Sequence, residues 1–239
     1  MEVKFNSVQD TYTLNNGVKI PCVGFGTWRA EGGEEAYNSV RWALDAGFRH
    51  IDTARAYKNE ESVGKAVKDS GIPRKEIFIT SKLNNPDHGY KNTVEAFNKT
   101  LDLLQTDYLD LYLIHWPNPI AFRNNWQEAN AESWKAFEEF YNQGKIKAIG
   151  VSNFWIHHIE ELLKTAKIIP QVNQIKLCPG QTQDEVVKYC QEKNILLEAY
   201  SPFGAGSVFE CAEMQELSKK YNKSIAQICT MWSLQNGFL

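Results

Sequence analysis

The chain has 239 residues, which is the size of one α/β barrel or of one to two ordinary domains. Its 26 Lys and Arg residues against 29 Asp and Glu residues give a formal net charge of −3, too small for a protein that binds nucleic acid or a membrane surface through charge. With 43% hydrophobic residues the chain has the material for a sizeable core, and its composition is not that of a disordered segment.

The cysteines and the N-terminus indicate a protein of the cytoplasm. The five Cys residues are an odd number without a C-x-x-C pair, which favours reduced thiols over a disulfide framework or a zinc site. The first twelve residues lack the apolar stretch of a signal peptide, and no apolar run approaches the about 18 residues of a membrane span. We therefore expect a cytoplasmic protein without a membrane segment.

The first predicted element is a short hairpin. Residues 12–14 and 18–20 flank the sequence Asn15-Asn16-Gly17, and an Asn-Gly pair supplies the positive φ angles of a tight turn.

After Pro21, short apolar runs alternate with amphipathic segments of helical length. The apolar runs predict strands at 23–26, 49–52, 77–82, 109–115, 148–152, 171–174 and 195–200. The segments between and after them predict helices at 34–46, 60–70, 91–104, 131–143, 156–164, 184–193, 211–221 and 225–235. Such alternation requires parallel strands with right-handed crossovers, in a barrel or a doubly wound open sheet. No linker divides the chain, so we expect one domain over 1–239, without a completed eighth strand.

Six of the seven predicted strands close in polar residues: Asp52, Lys82, His115, Ser152 with Asn153, Gln174 and Tyr200. In parallel α/β folds the chemistry collects at the carboxyl ends of the strands. Any one of these residues is equally typical of a chain returning to water, but their joint pattern predicts a functional site.

Two of these residues, Asp52 and Lys82, are expected to interact with each other and with Tyr57. Asp52 and Lys82 end neighbouring strands, and Tyr57 lies in the loop between them. A carboxylate keeps Lys82 charged, and the ammonium favours tyrosinate, which lowers the pKa of Tyr57 from its usual value of about 10. The tyrosine then becomes a tuned proton donor. His115 is suited to bind a substrate oxygen, to relay a proton or to ligate a metal, and a buried structural histidine is also open.

Seven short motifs surround these residues. The longest is Asp52-Thr-Ala-Arg-Ala-Tyr57-Lys-Asn-Glu60-Glu-Ser-Val-Gly64. The others are Gly24-Phe-Gly26-Thr27-Trp28, Thr80-Ser-Lys82, Leu113-Ile-His115-Trp-Pro117, Gly150-Val-Ser152-Asn153-Phe154, Val172-Asn-Gln174 and Ala199-Tyr200-Ser201-Pro202. In sequence and in order they resemble the motifs of the aldo-keto reductase family. The chain is most similar to the small prokaryotic-type members, which include 2,5-diketogluconate reductases and prostaglandin F synthase-like proteins.

The resemblance implies a TIM (β/α)8 barrel with an N-terminal hairpin and reduction of aldehydes or ketones by NADPH. The absence of a G-x-G-x-x-G motif agrees with a cofactor bound without a Rossmann domain. By the family's roles Tyr57 donates a proton to the carbonyl oxygen, Lys82 and Asp52 tune it, and His115 orients the carbonyl. The hydride comes from the nicotinamide, and the partner is a small carbonyl compound.

The resemblance also implies binding roles. Ser152, Asn153 and Gln174 match positions that hold the carboxamide, and Tyr200 matches the aromatic residue that stacks on the nicotinamide. The remaining predicted cofactor contacts are Gly26, Thr27, Ser201, Phe203 and Gly204. Trp28 and Trp116 are predicted to contact substrate beside His115. Phe122 and Trp126, in the loop 118–128, are expected either to close over the pocket or to cover the rim.

One departure from the family lies at the C-terminus. The family continues past a segment like 232–237 into an eighth strand, a Lys-Ser pair and an Arg that hold the 2′-phosphate, and a last helix. A chain without them is expected to bind NADPH more weakly, to prefer it less over NADH, and to expose two barrel edges through which a usually monomeric fold self-associates.

Three alternatives stay open. One is a metal-dependent hydrolase with His50, Asp52 and His115 as ligands. The others are a non-catalytic nucleotide-binding relative and an inactive product of truncation.

Overall fold

The computed structural model describes residues 5–239. The first element in this part of the chain is an antiparallel hairpin. Strands β1 (Thr11–Thr13) and β2 (Lys19–Pro21) pair in register, and Gly17 has a φ of 85° in the turn between them. The hairpin predicted from the Asn-Gly turn is confirmed.

Seven parallel strands, paired in chain order, form one curled sheet within residues 5–239. Strands β3 to β9 are Phe25–Gly26, His50–Asp52, Phe78–Leu83, Leu109–Ile114, Ile146–Ser152, Val172–Lys176 and Leu196–Tyr200. Every predicted strand is present, with ends displaced by one or two residues. The predicted α/β barrel topology is confirmed, with β3 and β9 as the outer strands of this sheet.

Eight α-helices occur in the described part of the chain. Helices α1 to α8 are Glu34–Asp45, Glu60–Asp69, Tyr90–Leu104, Trp126–Asn142, Ile156–Leu163, Asp184–Glu192, Ala212–Tyr221 and Ile225–Gln235. Only α4 differs appreciably from prediction, since it begins at Trp126 rather than at residue 131. None of the helices in residues 5–239 has the length and apolar character needed to cross a bilayer.

The main core lies between the outer face of the sheet and the helices. Its largest members, Trp134, Tyr112 and Phe97, are completely buried. Helices α2 and α3 approach closely at Gly64, where a Cβ atom would lie 2.6 Å from the carbonyl carbon of Leu104. Burial of this apolar surface supplies the main stabilisation of the fold.

A second apolar cluster forms a floor inside the curled sheet. The hairpin contributes Leu14 and Ile20, which pack beneath inward-facing strand residues that include Phe78, Leu111 and Val172. Because side chains alternate along a strand, the residues further along the same faces point into the barrel above this floor. The apolar floor therefore closes one end of the barrel, and the polar residues at the carboxyl ends of the strands lie at the other, open end.

The outer edge of β9 is partly paired by the last residue of the chain. The amide nitrogen of Leu239 donates to Leu197 O at 3.0 Å, and Leu239 O accepts from the amide nitrogen of Ala199 at 2.6 Å. Phe238, just before it, packs against Trp232 of α8. The expectation that both barrel edges are bare is therefore wrong for this part of β9, because α8 brings residue 239 alongside it.

Candidate active site

A buried ion pair joins the carboxyl ends of β4 and β5. Lys82 is completely buried, and its Nζ donates to Asp52 Oδ1 at 2.6 Å, to Asp52 Oδ2 at 2.7 Å and to Thr53 O at 2.9 Å. The parallel register sets Asp52 beside Thr80, two residues before Lys82, so that Asp52 and Lys82 face the same interior. Three acceptors satisfy the three ammonium protons, which is what a buried lysine charge requires.

Tyr57 is brought to this pair by a 3₁₀ turn, Arg55–Tyr57, that directly follows β4. Its hydroxyl oxygen lies 3.4 Å from Lys82 Nζ, and the ammonium is 5.1 Å from the centre of the tyrosine ring. The ring of His115, just beyond β6, packs edge-on against Tyr57 with centres 5.7 Å apart. The four residues predicted from the strand ends and the Tyr57 loop thus lie together.

The electrostatics of these groups differ from the sequence-based expectation. Burial raises the pKa of Tyr57, and the opposing effect of Lys82 does not overcome it, so the predicted net lowering is wrong. Burial disfavours the charge on Lys82, but Asp52 and Tyr57 outweigh it and the pKa of the ammonium is raised. Burial, followed by repulsion from Lys82, lowers the pKa of His115 to about 3. At neutral pH the site therefore holds a protonated tyrosine, a charged lysine and a neutral histidine.

The polar residues at the ends of β7, β8 and β9 connect to this group through hydrogen bonds. Gln174 Nε2 donates to Asp52 Oδ2 at 2.9 Å. Asn153 Nδ2 donates to His115 O at 3.0 Å and to Ser152 Oγ at 3.1 Å, and Tyr200 OH donates to Asn153 Oδ1 at 2.8 Å. Hydrogen bonds therefore connect the predicted cofactor residues of these three strands to Asp52 and to the backbone of His115.

Two further predicted cofactor residues lie where β3 ends: Gly26 is its last residue, and Thr27 follows it. A Cβ atom added at Gly26 would have no heavy atom within 4 Å, so the backbone there borders open space. Thr27 is completely buried, and its Oγ1 donates to Asp52 O at 3.1 Å. Its side chain thus holds the end of β4 in place.

Asn59 is a positioning residue to which sequence reasoning gave no role. Its Nδ2 donates to Thr27 O and to Ala30 O, both at 3.0 Å, and its Oδ1 accepts from Thr53 Oγ1 at 2.7 Å. This buried amide links the loops that follow β3 and β4. Its place in the motif that contains Tyr57 is the one sequence signal that points to it.

The other predicted contact residues lie in the loops around this end of the barrel. Ser201, Phe203 and Gly204 follow Tyr200, and Ser201 and Gly204 have positive φ angles of 50° and 57°. Trp28 and Trp116 follow β3 and β6, and 55% and 45% of their surfaces are exposed. Two indole rings are thus available to a ligand at this end.

The two aromatic residues of the loop 118–128 pack against different partners. Phe122 stacks on the buried ring of His88, with centres 5.6 Å apart. Trp126 is the first residue of α4 and packs edge-on against His158 of α5 at 5.0 Å. Trp126 therefore belongs to the packing of α4 on α5, because the helix starts earlier than the sequence pattern indicated.

The residues proposed as metal ligands have other partners. His50 Nε2 lies 2.9 Å from Thr80 Oγ1, and both oxygens of Asp52 accept from Lys82. Within residues 5–239 no group of three or more His, Cys, Asp or Glu residues is arranged to hold a metal ion.

The curled parallel sheet, with its polar cluster at the carboxyl ends of the strands, defines an α/β-barrel protein of the kind that carries a site at this end. The sequence profile described as "Aldo/keto reductase family" matches residues 22–238, and the chain belongs to that family. The chain is 48% identical over 231 residues to glyoxal reductase of Bacillus subtilis (strain 168), covering 97% of this chain and 81% of that relative.

Solved structures agree with this assignment. The crystal structure of an aldo/keto reductase from Brucella melitensis superposes with a TM-score of 0.89 at 43% identity, covering 96% of this chain and 86% of the other. That of a Bombyx mori aldo-keto reductase in complex with NADP gives 0.85 at 33% identity, covering 97% of this chain and 82% of the other.

Proposed function

We propose that this protein reduces aldehydes or ketones to alcohols with NADPH, and that Tyr57 is the general acid. The observation that carries the proposal is the Lys82 ammonium, which is held by both oxygens of Asp52 and lies 3.4 Å from the Tyr57 hydroxyl. A fixed cation beside a phenol stabilises the tyrosinate that proton donation leaves behind. The name of the Bacillus subtilis relative and the NADP in the Bombyx mori structure agree with this reaction.

The residues beside the ion pair fit a nicotinamide. Ser152, Asn153 and Gln174 offer hydroxyl and amide groups that both donate and accept, which a carboxamide requires, and Tyr200 adds an aromatic ring. We propose that these four residues hold the nicotinamide end, and that Gly26, Thr27, Ser201, Phe203 and Gly204 contact the remainder. When bound, the cofactor supplies the hydride.

The protein's own groups supply the proton and the orientation. Tyr57 keeps its proton at neutral pH and releases it when a carbonyl oxygen beside it gains negative charge. Lys82 then stabilises the tyrosinate. His115 is neutral, so one ring nitrogen is available to donate a hydrogen bond to the same oxygen. Trp28 and Trp116 form the apolar part of the substrate site.

Substitution of Tyr57 by Phe tests the assignment. We expect Tyr57→Phe to lose carbonyl reduction by a factor of about 10² to 10⁴, while NADPH affinity, measured by quenching of tryptophan fluorescence, changes little. Tyr90→Phe is the matched control, because that hydroxyl is bonded to Glu139 on the outer helices.

Retention of most of the turnover by Tyr57→Phe would exclude the tyrosine as the acid. If the parent chain binds NADPH but reduces none of a panel of aldehydes and ketones, the protein is a nucleotide-binding relative without turnover. If it binds neither NADPH nor NADH, the proposed function is wrong for this chain.

We further propose that the protein is a cytoplasmic monomer. All five cysteines, which lie within residues 5–239, are free thiols, and this fits a reducing compartment. Light scattering at several concentrations tests the oligomeric state, and a concentration-dependent mass would indicate association through the barrel edges.

A further inference from the structure

A second layer of buried polar groups lies inside the barrel, one step below the ion pair. Glu198 of β9 is two residues before Tyr200, and His50 of β4 is two residues before Asp52, so each shares the inward face of its strand. His50 is completely buried and Glu198 is 5% exposed. The sheet register sets Glu198 beside Gln174, whose side chain bonds Asp52. Glu198 thus lies between the apolar floor and the proposed catalytic groups.

The carboxyl group of Glu198 has few hydrogen bonds. Its Oε2 and the Nδ1 of His50 have no hydrogen-bond partner among residues 5–239. The nearest cation candidate is His50 Nε2, 4.0 Å from Glu198 Oε1, but that nitrogen is already 2.9 Å from Thr80 Oγ1. A carboxylate buried with so little compensation is unfavourable, whereas a neutral carboxyl group is tolerated.

The charges around Glu198 act in opposite directions, because Asp52 raises its pKa and Lys82 lowers it. The titratable groups that face it are His50 and Asp52 of β4, Lys82 of β5 and Tyr57 of the turn after β4. Burial lowers the pKa of His50 to about 4, so His50 contributes no charge at neutral pH. Burial, and then repulsion by Asp52, outweighs the opposing effects of Lys82 and Gln174 and raises the pKa of Glu198 to about 8.

We propose that Glu198 is a positioning residue that acts through Lys82: as a neutral carboxyl it leaves the ammonium to Asp52 and Tyr57, and as an anion it competes for the ammonium and suppresses proton donation by Tyr57. The effect on catalysis rests on the proposed reduction. The lysine charge stabilises tyrosinate only to the extent that other anions do not neutralise it, and Glu198 is a buried carboxylate whose charge, like that of Asp52, acts on the ammonium. Loss of the Glu198 proton therefore makes Tyr57 a weaker acid.

The first test compares pH profiles of carbonyl reduction at saturating NADPH. In the parent protein kcat/KM falls between about pH 7 and pH 9, on either side of the Glu198 value. Glu198→Gln keeps a neutral group of nearly the same shape, so its profile stays flat until Tyr57 itself ionises. Glu138→Gln is the matched control, because Glu138 of α4 is also buried but accepts from the backbone amides of Lys167 and Ile168 in the loop after α5.

A parent profile without a fall near pH 8 overturns the proposal without any variant. A fall that persists unchanged in Glu198→Gln overturns it as well.

The second test requires no turnover, so that failure of the proposed function and failure of this inference are distinguishable. Ionisation of Tyr57 is measured as the tyrosinate absorbance that the parent protein has and Tyr57→Phe lacks. Glu198 is charged where Tyr57 titrates, so Glu198→Gln should lower the apparent pKa of Tyr57 by about one unit. An unchanged titration contradicts the inference even in a fully active enzyme, and the expected shift supports it even if no carbonyl compound is reduced.

Discussion

Replacing Lys82 by Met separates the contribution of the buried ion pair to stability from its proposed role in catalysis. The substitution removes the donor of three hydrogen bonds, two to Asp52 and one to Thr53 O, and leaves the Asp52 carboxylate with Gln174 as its remaining side-chain donor. Loss of one partner of a buried ion pair costs about 3 to 5 kcal/mol, mainly because the other charge stays buried and unpaired.

The expected size of the effect follows from the chain length. For a domain of this size about 1 kcal/mol shifts the melting temperature by about 2 to 4 °C, so Lys82→Met should melt about 6 to 20 °C below the parent at neutral pH. The double variant Lys82→Met/Asp52→Asn removes both charges and should recover a large part of that loss. Neither variant should reduce carbonyl compounds at the parent rate, because Tyr57 has lost the cation that stabilises its conjugate base.

Thermal unfolding followed by tryptophan fluorescence measures these differences, with Lys91→Met as the matched control. Lys91 lies 4.0 Å from Glu95 on the surface of α3, with both side chains exposed, and its loss should leave the melting temperature unchanged. A Lys82→Met protein as stable as the parent would refute the reasoning. So would a double variant that melts below the single one.

Two further predictions concern other parts of the fold. Gly64→Ala should destabilise the protein by about 1 to 3 kcal/mol in denaturant unfolding, because the added Cβ meets the Leu104 backbone at 2.6 to 2.7 Å; a more stable variant would show that α2 and α3 separate freely. His88 should make unfolding pH-dependent, since burial lowers its pKa to about 4. The unfolded chain takes up this proton near the ordinary value, so the contribution is complete above about pH 6.5 and is lost as the pH falls toward 4. His88→Phe keeps an aromatic ring against Phe122. Between about pH 7 and pH 5 the variant should lose about 2 kcal/mol less unfolding free energy than the parent. An equal loss in both proteins would contradict the buried neutral state of His88.

The strand arrangement is predictable because its signal is local. A parallel strand covered on both faces, such as Leu109–Ile114, is a continuous apolar run, and the polar residue that follows it marks the open end of the barrel. The same reasoning groups Asp52, Lys82 and His115 at that end on the strength of the amino-acid sequence. This reasoning needs only the order of strands and helices along the chain, which the periodicity of apolar residues indicates.

The features that the sequence does not predict depend on contacts between distant segments. The start of α4 at Trp126 is stabilised by packing on His158, which adjacent residues do not reveal. The direction of the Tyr57 pKa shift is decided by burial, whereas sequence spacing indicates only its charged neighbours. Glu198 lies inside an apolar run, and that anomaly is visible in the sequence, but which face of β9 it occupies is clear only from the fold.

The turn of the N-terminal hairpin has a consequence for the order of folding. Asn15 Nδ2 donates to Pro170 O and Asn194 O, and Asn16 Nδ2 donates to Lys147 O, so the turn is attached to backbone 131 to 179 residues away. The hairpin itself closes over a few residues, which takes microseconds, whereas these attachments need β7 and the segments before β8 and β9 to be in place. The first element of the chain is thus among the last to dock, and hydrogen exchange of its backbone reports when the opposite end of the sequence has assembled.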